Sequence, residues 1–121
     1  MRIGQLAERT GVSVRSLRYY ETQGLLDSSR NSGGQRVYEP EAVDRVHYLQ
    51  RLYRAGLSSQ AIRAVLPCLD TPSLVSSDAA FERLVQERDT LRTHLDEVSQ
   101  TLSALEALIA FNRAHRPAVG D

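Results

Sequence analysis

Three features of this 121-residue sequence predict a mostly α-helical fold: a head of four helices with a small two-stranded wing, then one long helix. First, apolar residues recur at helical spacing in four short blocks before residue 67, each bounded by Ser, Pro or Gly. Second, Asp27-Ser-Ser-Arg-Asn-Ser-Gly-Gly34 has hairpin-loop composition and runs into β-prone Val37 and Tyr38. Third, from Ala79 onward the apolar period becomes a heptad without Gly or Pro.

The head begins with Ile3, Leu6 and Ala7 at helical spacing. Gly11-Val12 makes a tight turn, and Ser13 can cap a second helix by accepting an orphan backbone N–H. Helix, short Gly-containing turn and helix together make a helix-turn-helix, with Leu6, Val12 and Leu17 as its miniature core. The second helix ends at Gly24, which can take the left-handed conformation that other residues resist. Its open positions carry Arg15, Ser16 and Arg18 beside the tyrosine pair. Adjacent Tyr19 and Tyr20 must point in different directions, and Tyr20 is expected outward, with Tyr19 in the core. Cations, hydroxyls and an aromatic on one short helix suit contact with phosphates and base edges in a DNA major groove.

The wing places Arg30 near its tip and Arg36 and Tyr38 on the return strand. Pro40 then sits at a first helical turn, where its missing N–H costs nothing. Val43, Val46, Leu49, Leu52 and Tyr53 mark a third helix ending near Ala55-Gly56. Ser58 caps a fourth, with Ala61, Ile62, Val65 and Leu66 facing the core and Pro67 stopping it. The expected domains are a head over 1–68, a polar linker over 69–78, a coiled-coil helix over 79–115 and a flexible tail over 116–121.

With Phe81 at position a, the a series is Phe81, Arg88, Leu95, Leu102 and Ile109. The d series is Leu84, Leu91, Val98, Leu105 and Asn112. Such a helix, roughly 50 Å long at 1.5 Å per residue, predicts a homodimer through Leu84, Leu91, Leu95, Val98, Leu102, Leu105 and Ile109. In an antiparallel pair, an a residue meets a d residue of the partner. Layers whose residue numbers sum to 200 set Leu95 on Leu105, Leu91 on Ile109, and polar Arg88 on polar Asn112. A one-heptad shift would press Arg88 against Leu105, so 200 is the expected register.

Charge supports a division of labour. The formal net charge is zero, yet residues 1–66 hold ten arginines against six carboxylates, net +4. Residues 67–121 hold five against nine, net −4. A basic head and an acidic assembly helix fit nucleic-acid binding by the head alone. All fifteen cations are Arg, whose planar fork suits phosphate and guanine, although base composition of a genome gives the same bias. No leader pattern and no apolar run of about 20 residues appears, so the expectation is a cytoplasmic chain with no membrane partner. Cys68 cannot form an internal disulfide. It is a candidate redox sensor at the head–coil boundary, but no neighbouring cation activates it and a plain small hydrophobe is the blander reading. His47, His94 and His115 lack ligand spacing, so no metal or other cofactor is expected. No paired carboxylates, nucleophile–base arrangement or phosphate loop points to an enzyme.

The head resembles the MerR family of bacterial transcription regulators. The matching residues are Ile3-Gly-x-Leu-Ala7, Gly11-Val-Ser13, Leu17-Arg-Tyr-Tyr-Glu21 and Gly24-Leu-Leu26. They continue through Arg30, Gly34-x-Arg36-x-Tyr38 and Ala55-Gly-Leu-Ser58. The resemblance implies a winged helix-turn-helix head, an antiparallel dimerisation helix and a pseudo-palindromic promoter operator. It also implies activation by distorting an over-long spacer so that both promoter elements face RNA polymerase. Arg18 and Tyr20 match family residues that grip double-stranded DNA from the helix, and Arg36 and Tyr38 match the wing. The DNA-binding set is thus Ser13, Arg15, Ser16, Arg18, Tyr20, Arg30, Arg36 and Tyr38. Gln35 departs from the family's usual Tyr, and residues 79–121 lack the cysteines of its metal sensors. No effector is indicated, and activation or repression depends on operator position. Two other readings use the same residues: an excisionase-like architectural protein, against which the five heptads count, and a coiled-coil adaptor, against which the intact motif counts.

Overall fold

A computed structural model describes residues 1–118, so the last three residues of the expected tail lie outside the described residues. Its elements in order are α1 (Ile3–Thr10), α2 (Val14–Thr22), β1 (Ser29–Arg30), β2 (Arg36–Val37), α3 (Ala42–Arg54), α4 (Ser59–Val65), α5 (Pro67–Asp70) and α6 (Leu74–Ala114). Two units emerge, a head spanning Met1–Arg83 and a second unit from Leu84 onward.

In the head, α1 packs on α2 and α3, and α3 packs on α4. Leu6, Leu17, Val46, Leu49, Ala61 and Ile62 are fully buried at their junction. Local chemistry defines each boundary. Ser13 Oγ accepts the Ser16 N–H at 3.1 Å, and Ser58 Oγ accepts the Ala61 N–H at 3.1 Å. Gly24, at φ +74°, closes α2. The Leu25 N–H reaches Tyr20 O at 2.9 Å and the Gly24 N–H reaches Glu21 O at 3.0 Å, which together make a Schellman closure. Leu25 is thereby turned into the core, 1% exposed.

The wing is an antiparallel pair with Ser29 opposite Val37 and Arg30 opposite Arg36. Asn31 Oδ1 accepts the N–H groups of Gly33 and Gln35, both at 3.0 Å, and shapes the loop. The N-terminus is tied to the wing's base. The Tyr38 N–H donates to Met1 O at 2.6 Å, and the Met1 ammonium donates to Tyr38 O at 2.8 Å.

Three local expectations change. Pro40 lies in the turn ahead of α3, whose N-cap is Glu41. Pro67 ends α4 as expected but also opens α5, where its fixed φ and missing N–H suit a first helical position. The 69–78 stretch is mostly helical, because α5 extends to Asp70 and α6 starts at Leu74 rather than Ala79. The cause is a reciprocal serine cap. Ser73 Oγ accepts the Ser76 N–H at 3.0 Å and Ser76 Oγ accepts the Ser73 N–H at 2.9 Å. Serines that read as linker composition are therefore a helix start. Ala80, on the first turns of α6, is 4% exposed and belongs to the head core.

In the second unit, the apolar heptad positions are open to solvent in the single chain. Exposure runs from 41% at Leu84 to 65% at Leu95. Arg88, one of the two polar heptad residues, pairs with neighbouring Asp89 at 3.1 Å. Leu108 and Phe111 lie outside the a and d series and are also exposed, with the Phe111 ring stacked on His115 at 4.1 Å.

Replacing Leu17 by Ala removes a fully buried side chain at the α1–α2 junction and should cost about 2–5 kcal/mol. Urea unfolding of the full chain checks this, and a loss well under about 1 kcal/mol would mean the junction is not packed as described.

Candidate nucleic-acid interface

The exposed face of α2 carries Arg15, Arg18 and Tyr19, with Ser13 at its cap. Arg15 and Arg18 form no ion pair among the described residues, so their guanidinium forks are available to a ligand. Ser16 is half-buried and its hydroxyl accepts from Ser13 Oγ at 3.1 Å. Ser13 and Ser16 are thus occupied in holding the helix end.

The tyrosine pair reverses the expected roles. Tyr20 is 8% exposed and its ring stacks on Tyr53 with centroids 5.4 Å apart. Tyr19 is the outward ring, at 49% exposure. The physical reason is helical phase: Tyr20 follows Leu17 by three residues and shares its core-facing side. Burial, then the neighbouring Tyr53, pushes the Tyr20 phenol pKa upward, so it stays neutral. The Tyr20 hydroxyl has no hydrogen-bond partner among the described residues, yet no buried side-chain polar atom there lacks one. The hydroxyl therefore reaches the surface while the ring serves the core. Tyr19 OH shares Ser59 Oγ, at 3.1 Å, with Tyr53 OH at 2.6 Å. Arg63 Nη1 donates to both Gln23 O and Gln23 Oε1 at 3.1 Å. These contacts brace α2 against α3 and α4.

The wing is joined to α2 through Glu21. One carboxylate oxygen takes an ion pair from Arg36, and the other accepts the Tyr38 hydroxyl at 3.3 Å. Tyr38 is 2% exposed, so it is a core residue rather than a projecting contact. Burial, then the charge of Glu21 and the bond to it, raise the Tyr38 pKa, against a lowering by Arg36 and Arg18. Arg36 remains exposed despite its ion pair. Arg30 donates to Gly34 O at 2.7 Å across the hairpin and also remains exposed. Arg18, Arg36 and Tyr38 line one cleft together with Arg2, Ile3 and Gln35. The fold thus gathers Arg15, Arg18, Tyr19, Arg30 and Arg36 on the exposed surface of α2 and the wing.

Sequence reasoning missed Glu21, Tyr53, Ser59, Arg63 and Arg2. Glu21, Tyr53, Ser59 and Arg63 act through partners distant in the chain and Arg2 shares a cleft with Arg18 and Arg36, which helical periodicity does not encode. A second cleft of about 620 Å³ over α3 is lined by none of the expected contact residues; its floor includes Leu26, Ala42 and Tyr48. Arg45 closes one edge, pairing with Asp70 at 2.9 Å and donating to Leu25 O at 2.9 Å. Cys68 is a half-buried residue of α5 packed against the head core.

A capped helix-turn-helix, a two-stranded wing and arginines shared between them define a winged-helix regulatory head. Residues 1–68 match the family described as MerR HTH family regulatory protein. The chain belongs to the MerR family. Nodulation protein NolA of Bradyrhizobium elkanii is 42% identical over 98 residues, covering 80% of this chain and 38% of that protein. The HTH-type transcriptional regulator HmrR of Rhizobium leguminosarum bv. viciae is 31% identical over 108 residues, covering 89% and 78%. The chain spans about half or less of the Bradyrhizobium relatives it matches. Among solved structures, the transcription regulator PbrR691 from Ralstonia metallidurans CH34, in complex with lead(II), superposes with a TM-score of 0.71 at 25% identity. That match covers all of this chain and 91% of the other.

Removing the Glu21 carboxylate (Glu21→Ala) should release the wing from α2. Hydrogen exchange at the Arg36 and Val37 amides should quicken about five-fold, or about 1 kcal/mol, with α3 unchanged. Unchanged wing exchange would show that Glu21 does not hold it.

Proposed function

We propose that this chain is a sequence-specific transcription regulator that binds double-stranded DNA as a homodimer. The observation that carries the reading is the pairing of free Arg15 and Arg18 on α2 with exposed Arg36 on the wing, in a head of this family. The guanidinium forks of α2 suit base edges and phosphates in a major groove, and the wing arginines suit the adjoining backbone. Tyr19 supplies an exposed ring and hydroxyl at the helix edge, and Tyr20 supplies a hydroxyl alone. Two heads related by a twofold would meet successive major grooves about 34–36 Å apart, on a pseudo-palindromic operator.

The dimer reading rests on the open apolar stripe of α6. Leu91, Leu95, Val98, Leu102, Leu105 and Ile109 are each at least 50% exposed in the single chain. A contiguous apolar stripe of this kind is expected to be covered. An antiparallel coil in the register that sums to 200 would cover it and place Arg88 beside Asn112 of the partner subunit. Grips by two heads can bend or twist the DNA between them, with energy that depends on the sequence being deformed. Distortion of a promoter spacer would bring its two elements to face RNA polymerase. The chain acts in this reading by binding and shape, without a catalytic step.

Two measurements test it. Selection of bound duplexes from a random pool should return a palindromic site, and Arg18→Ala should weaken binding to it by about 1–3 kcal/mol with the dimer intact. Full-strength binding by that variant would remove Arg18 from the interface. Separately, disulfide trapping in a Cys68→Ser background should join Leu95→Cys of one protomer to Leu105→Cys of its partner. Ready joining of Leu95→Cys with Val98→Cys instead would overturn the register.

A further inference from the structure

The N-terminus is built into the wing, and this places a cation that sequence spacing does not associate with the recognition helix. Met1 and Tyr38 exchange two backbone hydrogen bonds, of 2.6 and 2.8 Å. Arg2 therefore leaves an extended backbone (φ −88°, ψ 165°) locked against the end of the return strand. Its own N–H is held by Gln5 Oε1 at 3.0 Å, so the residue is fixed at both sides. The side chain is exposed and forms no ion pair among the described residues. Arg2, Arg18 and Arg36 converge on one cleft of about 350 Å³, with Gln35 and Tyr38 among its other lining residues.

Three arginines from three separate elements line that cleft. Only Arg36 has a carboxylate partner, Glu21, so the cleft keeps a positive surplus. Like charges lining one cleft gain most from an anion with several acceptor oxygens, and Arg forks match a phosphate bidentately. Gln35 adds an uncharged amide donor at the position where the family resemblance departs. Tyr38 closes the floor as a neutral phenol, its pKa raised by burial and by Glu21.

We propose that Arg2, with Arg18 and Arg36, seats one backbone phosphate of the bound DNA in this cleft, making the N-terminal residues a third contact element beside α2 and the wing. The inference rests on the DNA-binding reading and goes beyond it by assigning a contact to Arg2. A phosphate seat positions the duplex without reading its sequence, so its loss should weaken all duplexes alike.

The test is a salt titration of duplex binding for the full-length wild type, Arg2→Gln, Arg2→Lys and Arg18→Ala. It uses one selected operator and one random-sequence duplex, and thermal melts of each variant confirm folding. Arg2→Gln should weaken both duplexes by about three- to ten-fold and lower the slope of log K against log salt by about 1, while Arg2→Lys restores most of both. Wild-type affinity and slope in Arg2→Gln, alongside weakened binding by Arg18→Ala, would overturn the seat and leave the DNA-binding reading standing. A wild type that binds no duplex would overturn both. Inorganic phosphate that raises the melting temperature of wild type but not of Arg2→Gln, with equal DNA slopes, would assign the cleft to a free anion and also overturn the proposal.

Discussion

The two oxygens of the Glu21 carboxylate set the geometry on which the exposed arginine surface of α2 and the wing depends. A largely covered carboxylate is costly unless both oxygens are satisfied, and here one takes Arg36 and the other the Tyr38 hydroxyl. The wing needs that anchor because two strands of two residues each are marginal on their own. Burial of Tyr38 and the Met1–Tyr38 backbone pair supply the remaining attachments. The wing is therefore tethered at its base by core packing, an ion pair and the chain's own beginning. Its loop is shaped separately, by the bonds Asn31 makes within it.

A parallel arrangement steadies the other side of α2. Tyr20 stacks on Tyr53, Tyr53 shares Ser59 with Tyr19, and Arg63 grips Gln23. Polar groups placed this way specify one orientation of the helix, because each broken bond would leave a partly covered group without a partner. The result is a helix whose inner face is fastened by aromatic stacking and hydroxyl sharing. Its outer face keeps Arg15 and Arg18 without an ion pair among the described residues. That division, fastened behind and open in front, suits the binding role proposed for α2.

The second unit is organised by a different constraint. Along α6 past Leu84 the apolar residues form a stripe left open among the described residues of the single chain, so a partner that covered it would gain hydrophobic free energy. Charge segregates along the sequence, +4 over residues 1–66 and −4 over 67–121, so the cationic excess lies with the first four helices and the wing.

Much of the head was legible from sequence because its signals are local. Ser13, Ser58, Gly24 and the apolar periods of α1 to α4 act within one or two helical turns, and the structure uses each as expected. The family was legible because its motif spans most of residues 1–66. What failed was long-range or phase-sensitive. Tyr19 and Tyr20 could not be told apart by composition; helical phase puts Tyr20 on the side of buried Leu17, where its ring stacks on Tyr53. Serines 73 and 76 read as linker because a reciprocal cap looks the same as a polar loop until the following helix is seen. Sequence by itself determined the element types and turns of residues 1–66 and the arginines among them, since backbone propensity and burial are written residue by residue. Tertiary structure alone decided which of those groups meet. Glu21 finds the wing, Ser59 finds two tyrosines and Arg2 comes to line a cleft with Arg18, because contacts between distant segments depend on positions in space rather than on spacing along the chain.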